Sequence, residues 1–229
     1  MALYAIGDLH LSFGTDKPMD VFGGGWVSYT DKIKEGFSSL NQDDVCVLCG
    51  DISWGISLEE SLDDFRFIGN LPGKKIILKG NHDYWWTTAA KMKAFFEVND
   101  IDGIEILHNN CYFYEGTAVC GTRGWMSDDE MGKEQNAKIM SREVSRLRMS
   151  LEAARDSINK LCFFHYPPRT TNLISDDLVS LMNEHDVAEC IFGHLHGPGH
   201  KYAVSGMLDG IEYKMVSADF VGFIPQKIM

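Results

Sequence analysis

Apolar positions along this chain follow two rhythms. Short apolar runs read as strands at residues 3–7, 45–49, 75–79, 104–107, 112–114, 118–121, 161–164 and 190–192. Between several of them the apolar residues fall three and four apart, the spacing of a helix that buries one face. Ile33, Phe37 and Leu40 mark a helix that begins at Thr30. Leu58, Leu62 and Phe65 mark a second behind a capping box, Ser57-x-x-Glu60. Met92, Phe95 and Phe96 point inward from a third over residues 88–97, and residues 176–184 give another. The longest stripe, Met140, Val144, Leu147, Leu151, Ala154 and Ile158, predicts a helix over residues 134–158. A coiled coil has the same spacing, but the length favours one amphipathic helix packed on a sheet. Asp209-Gly210 between apolar runs at 202–208 and 211–217 predicts a hairpin. Residues 14–26 are polar and contain Gly23-Gly24-Gly25, so they predict a loop.

Strands alternating with helices at both ends imply an α/β layered domain. The three successive strands over residues 104–121 and the hairpin add antiparallel partners. That combination predicts a mixed sheet, or two sheets packed together. There is no linker, repeat or low-complexity tract, and residues 1–229 read as a single domain.

Composition narrows the function. Net charge is −12, and the basic residues form no long run. An acidic surface repels the backbone of nucleic acid, which argues against broad nucleic-acid binding and suggests that any phosphate is handled through metal ions. No apolar run approaches the roughly 20 residues that span a membrane. The first eight residues carry no basic n-region and no cleavage site, so a cytoplasmic location is expected. Cys46-Val-Leu-Cys49 has the spacing of a redox or zinc pair. On a strand, however, residues three apart face opposite sides. All six cysteines therefore read as reduced structural thiols.

Five short polar clusters each follow a predicted strand: Asp8-Leu-His10, Gly50-Asp51, Gly80-Asn81-His82-Asp83, His165-Tyr-Pro-Pro168 and Gly193-His194-Leu-His196. Strand ends converge on one edge of an α/β sheet, where ligands bind. Asp8 and His10 are two apart, as are His194 and His196, so in an extended segment each pair projects to one side. Any one cluster alone is an ordinary turn or a satisfied histidine; five in series are not. Imidazole mixed with carboxylate suits zinc, iron, manganese or cobalt. Seven candidate ligands are too many for one tetrahedral ion and suit two ions, which can hold a bridging hydroxide and clamp a phosphoryl group.

In this order the clusters resemble the signature of the calcineurin-like metallophosphoesterases, from residue 8 to residue 196. The resemblance implies an α/β fold, a four-layer α-β-β-α sandwich of two mixed sheets flanked by helices. It implies a dinuclear hydrolase of phosphate esters, acting on monoesters or diesters of a small molecule. Asp8, His10, Asp51 and His196 would hold the first of two divalent ions (manganese, iron or zinc). Asp51, Asn81, His165 and His194 would hold the second, with Asp51 as the bridge. His82 would stay off the metal and serve as general acid, with Asp83 bonded to its other ring nitrogen. One departure stands out: many relatives carry a second Asp three residues after Gly-Asp, and here Trp54 occupies that place.

Aromatic residues crowd these motifs. Trp54, Trp85 and Tyr166 are candidates to stack on a substrate, against the plainer reading that they pack the core. Arg123, in Gly121-Thr-Arg-Gly-Trp125, could pair with phosphate or form a salt bridge, and Arg169 has the same two readings. His108 follows a strand but has no partner motif. The acidic stretch over residues 126–134 is expected to form a rim or a lid. Two other functions belong to the same fold, a non-catalytic protein-binding scaffold and a metal-dependent nuclease. The complete ligand set argues against the first and the acidic charge against the second.

Overall fold

A computed structural model describes residues 1–127 and 131–229. Two mixed sheets lie face to face. The first has the order β11-β1-β2-β3-β4, built from β1 (Leu3–Ile6), β2 (Val45–Leu48), β3 (Lys74–Ile77), β4 (Ile104–Ile106) and β11 (Gln226–Lys227). The second runs β5-β6-β7-β8-β10-β9, from β5 (Tyr112–Tyr114), β6 (Thr117–Thr122), β7 (Asn159–Phe164), β8 (Val187–Phe192), β9 (Gly206–Leu208) and β10 (Ile211–Met215). The inner strands pair in parallel, while β11, β5 and β9 pair antiparallel at the edges. The successive strands expected over residues 104–121 thus divide between the sheets, because the chain crosses over after β4.

Side-chain alternation along the strands creates three apolar layers. Leu3, Ala5, Val47, Ile76, Phe163 and Ile191 fill the space between the sheets. Ile6, Leu48 and Ile77 face outward onto α1 (Tyr29–Phe37), α2 (Leu62–Asn70) and α3 (Ala89–Val98). Cys162, Phe164, Cys190 and Phe192 face outward onto α4 (Lys133–Ala153) and α5 (Asp176–Glu184). Strands buried on both faces carry near-continuous apolar runs, which is why they were legible. Cys46 sits in an outer layer and Cys49 in the inner one, so the pair cannot meet. All six thiols are free.

Local chemistry shifts some boundaries. Half of the capping box forms, with Ser57 Oγ accepting from Glu60 N at 3.2 Å, while Glu60 Oε2 reaches one residue further back and accepts from Ile56 N at 3.0 Å. They close a turn, and the helix starts only at Leu62. Lys75 is buried, and its ammonium donates to the carbonyls of Leu71 and Gly73, groups left over at the end of α2. The helix α4 ends at Ala153; Ala154 of the stripe is still buried just beyond it, but Ile158 lies 92% exposed in the segment that feeds β7. The polar loop over residues 14–26 contains two short 3-10 turns, Met19–Phe22 and Gly24–Trp26, that bury Met19 and Trp26. Asp209 and Gly210 both take positive φ, 50° and 85°, as the tight hairpin requires. The acidic stretch expected to form a rim or a lid falls partly on residues outside those described. Among the described residues no helix is long and apolar enough to cross a membrane.

The layer between the sheets should dominate stability. Phe163→Ala is expected to cost about 3–5 kcal/mol in chemical denaturation. Ile158→Ala, the last position of the misleading stripe, should change stability by less than about 0.5 kcal/mol.

Candidate metal centre

The strand ends of both sheets meet along one edge, and there the backbone leaves its ordinary conformations. Asp8, His10, Asp51 and His194 have φ of 61°, 47°, 50° and 74°. Non-glycine residues rarely occupy this left-handed region, and they concentrate where a site dictates the geometry. The expected extended run from Asp8 to His10 is therefore absent; tight turns re-aim the two side chains. Close packing explains the neighbouring glycines. A Cβ on Gly80 would overlap the Asp51 carboxylate, and one on Gly193 would overlap the Asp8 carboxylate.

Seven side chains converge there in two groups. His10 Nε2 lies 3.2 Å from His196 Nε2, which in turn lies 3.5 Å from Asp8 Oδ1. His165 Nε2 lies 2.6 Å from Asn81 Oδ1 and 3.2 Å from His194 Nδ1. His194 and His196, expected to act from one side, thus serve different groups. Asp51 stands between them, with Oδ2 3.7 Å from His10 Nε2 and 3.5 Å from His165 Nε2. Asp8, His10 and His196 bring ligand atoms within 4.8 Å of one another, as do Asp8, Asp51 and His165, so each set could hold a metal ion.

Partners behind the ligands fix which ring nitrogen faces inward. The Cys49 carbonyl lies 3.1 Å from His165 Nδ1, leaving Nε2 for the centre. Asp219 Oδ1 lies 2.9 Å from His196 Nδ1, and its other oxygen accepts from Gly197 N at 3.0 Å. Asp8 accepts from His194 N. The motif pattern did not reveal Asp219. Its only signal was an acidic residue shortly after the end of β10.

The electrostatics of His10, His165 and His194 fit metal ions. Burial lowers His10, His165 and His194 to about 3, so these imidazoles are neutral, as metal ligation requires. Burial, then the charges of Asp83 and Asp8, raises Asp51 well above the usual carboxylate range. Burial also acts to lower His196, but Asp219 and Asp8 outweigh it and push His196 up to about 10. Among the described residues no lysine or arginine pairs with Asp8 or Asp51; histidines are their only ion-pair partners. Facing lone pairs without a shared cation repel, and mixed imidazole and carboxylate donors suit a transition metal.

His82 stands just outside. Its Nε2 is 4.0 Å from Asp51 Oδ2, and its Nδ1 lies 3.4 Å from the Tyr84 hydroxyl. The expected bond from Asp83 to this ring does not form. Asp83 is buried and turns instead to backbone N–H groups and the Trp85 indole. Trp85 is itself buried, edge-on to Phe65, and is not placed to touch substrate. Tyr166 is buried with its ring 4.2 Å from that of His194, so it supports a ligand from behind. Trp54 does reach the site. It stacks on His10 at 5.1 Å and tilts against His82 at 4.4 Å. With Met19, Phe22 and Trp26 it walls a cavity of about 310 Å³ above His10, His82 and His196. Arg123 points elsewhere. It pairs with Glu143 at 3.2 Å and lines a second cavity, while Arg169 pairs with Asp209 on the surface.

Two facing mixed sheets with aspartate, asparagine and histidine gathered at their strand ends define a metal-dependent hydrolase. Comparison with known proteins names it more closely. Residues 1–198 match the calcineurin-like phosphoesterases, and the chain belongs to that family as a metal-dependent phosphoesterase. None of the curated proteins matches the chain in sequence. Solved structures share the fold at low identity. A phosphopantetheinyl hydrolase from Mycobacterium tuberculosis is 16% identical with a TM-score of 0.60, covering 100% of this chain and 95% of that one. A Thermus thermophilus protein is 13% identical with a TM-score of 0.56, covering 92% and 86%. An Aquifex aeolicus protein of unknown function is 16% identical with a TM-score of 0.50, covering 99% and 95%.

Asp219 offers a direct test of the ligand geometry. Asp219→Ala frees the His196 ring and should weaken metal retention by about 10–100-fold in a chelator competition, with the fold intact by circular dichroism. Unchanged retention would show that His196 needs no such support.

Proposed function

We propose that this chain, acting as one domain over residues 1–229, hydrolyses small phosphate esters with a pair of divalent transition-metal ions, manganese, iron or zinc. The observation that carries this reading is the position of Asp51, within 4 Å of ring nitrogens from both groups of histidines. Asp8, His10, Asp51 and His196 would hold one ion, and Asp51, Asn81, His165 and His194 the other. Ions held there supply Lewis-acid stabilisation and make the attacking water acidic enough to react at neutral pH.

The chain's own residues supply the rest. Burial lowers the pKa of His82, so its ring is neutral at neutral pH. If Tyr84 donates to Nδ1, the proton sits on Nε2, facing the centre. From there the Nε2–H can hydrogen-bond the phosphoryl group; protonating the departing oxygen would require the ring first to take up a proton, which its lowered pKa disfavours at neutral pH. The leaving group would lie against Trp54 and Trp26. A cavity of about 310 Å³ with an apolar wall suits a small molecule with an apolar or ring-bearing body. The net charge of −12 disfavours nucleic acid as the substrate. The six free thiols support the cytoplasm as the location.

The test compares p-nitrophenyl phosphate with bis-p-nitrophenyl phosphate on metal-loaded protein, followed by a small-molecule panel. 4′-Phosphopantetheine belongs on that panel, since it joins a phosphate to an extended body and the mycobacterial relative is named for that group. Hydrolysis should vanish with a chelator and return with metal. Asp51→Asn should abolish it, and His82→Ala should lower kcat by about 10²–10⁴-fold. Metal-loaded wild type that hydrolyses nothing on the panel would overturn catalysis.

A further inference from the structure

A second cavity of about 300 Å³ opens at the same edge of the sheets, on the side of β4 and β6. Lys79 enters it two residues before Asn81, Arg123 from the end of β6, and Arg146 from α4. Three basic side chains therefore surround one lining carboxylate, Glu143, in a chain whose net charge is −12. Glu143 is fully committed. It accepts from Thr122 Oγ1 at 2.6 Å, Arg123 Nη2 at 3.2 Å and Arg146 Nη1 at 2.6 Å. Lys79 has no carboxylate within ion-pair distance among the described residues. Two buried N–H donors that belong to lining residues, Arg123 Nε and Trp86 Nε1, have no acceptor. Asn109 Oδ1 is buried and unpaired as well, and a flip of the amide would present its nitrogen instead.

Unused donors together with uncompensated positive charge define what the cavity lacks. Water could satisfy the donors but would leave the excess charge. A phosphate or carboxylate satisfies both, and a planar guanidinium beside an ammonium and an indole N–H is well matched to its oxygens. The position links the cavity to catalysis. The Arg123 carbonyl accepts from the backbone of His165 and Tyr166 at 3.2 and 2.8 Å, and Lys79 lies on the strand end that presents Asn81 and His82.

We propose that this cavity is an oxyanion subsite beside the metal centre, which takes the second phosphate or carboxylate of a substrate bearing two anionic groups. The assignment of the anion to a substrate rests on the phosphoesterase reading above; anion binding does not.

The experiment has two arms. In the first, chelator-treated protein is titrated with inorganic phosphate by calorimetry. Wild type should bind it, Lys79→Met and Arg123→Gln should bind at least about tenfold more weakly, and Trp86→Phe, which removes only one donor, should bind more weakly than wild type. Lys138→Met, on the exposed face of α4, should bind as wild type, and thermal melts would confirm that all four variants fold. Wild type that binds phosphate no better than Lys79→Met overturns the site, whatever the enzyme's activity. In the second arm, metal-loaded wild type and Lys79→Met are compared on an aryl monophosphate and a small bisphosphate. The ratio of the two KM values, bisphosphate over monophosphate, should rise at least about tenfold in the variant. Phosphate binding lost with that ratio unchanged would assign the cavity to a free anion and overturn the substrate subsite.

Discussion

Asp83 has no exposed surface, and its carboxylate gathers backbone N–H groups from two separate loops. Gly80 donates at 2.6 Å, Ile52 at 2.8 Å, Asp51 at 3.0 Å and Ser53 at 3.3 Å, and the Trp85 indole adds a fifth bond at 3.1 Å. The first donor follows β3, and the next three follow β2. One buried charge thus ties two strand ends together and fixes the spacing between Asp51 and Asn81. Burial raises the Asp83 carboxyl to about 6, against the pull of those N–H groups. Hydrogen bonds to a charged group contribute about 1.5–3 kcal/mol each, and here they offset much of the burial but not all of it, since the carboxyl still sits above its ordinary value. Without that knot the left-handed turn at Asp51 would have little to hold it.

The two cavities divide the work of recognition by chemistry. One is walled by indole and thioether and lies over the imidazoles. The other is lined by ammonium, guanidinium and unused N–H donors. Apolar matter and negative charge have distinct places on either side of the metal ligands. Trp54 shapes the first of these. Its indole stands against both His10 and His82 and makes that side of the metal ligands an apolar wall.

Much of this was legible along the chain because the strands are buried on both faces and stop abruptly at polar motifs. The helices followed from their apolar spacing, and the seven converging side chains from their positions at strand ends. What stayed hidden depends on direction rather than spacing. Tyr84, Trp85 and Trp86 are adjacent, yet one is exposed, one buried and one at a cavity wall. No periodicity orders residues within a turn. Asp83 could as well have served a side chain as the backbone. Asp219 carries no motif, since its role arises from where the segment after β10 passes behind His196. His108 lacked a partner motif because its companions in the basic cavity come from elements far apart in sequence.

The first sheet has one edge with an unusual origin. Tyr4 and Ala5 in β1 pair with Lys227 and Gln226 in the two-residue β11, joining opposite ends of the chain. Closing so long a loop has an entropic cost that a pair of residues repays poorly. Even with the further backbone bonds between Leu3 and residues 228–229, this contact is expected to open before the central strands in native-state fluctuations. When it opens, β1 becomes an edge strand, and β1 is the strand that runs directly into Asp8 and His10. Amide-exchange protection along β1 would then report two events of different depth, shallow release of the terminal strand and deeper separation from β2.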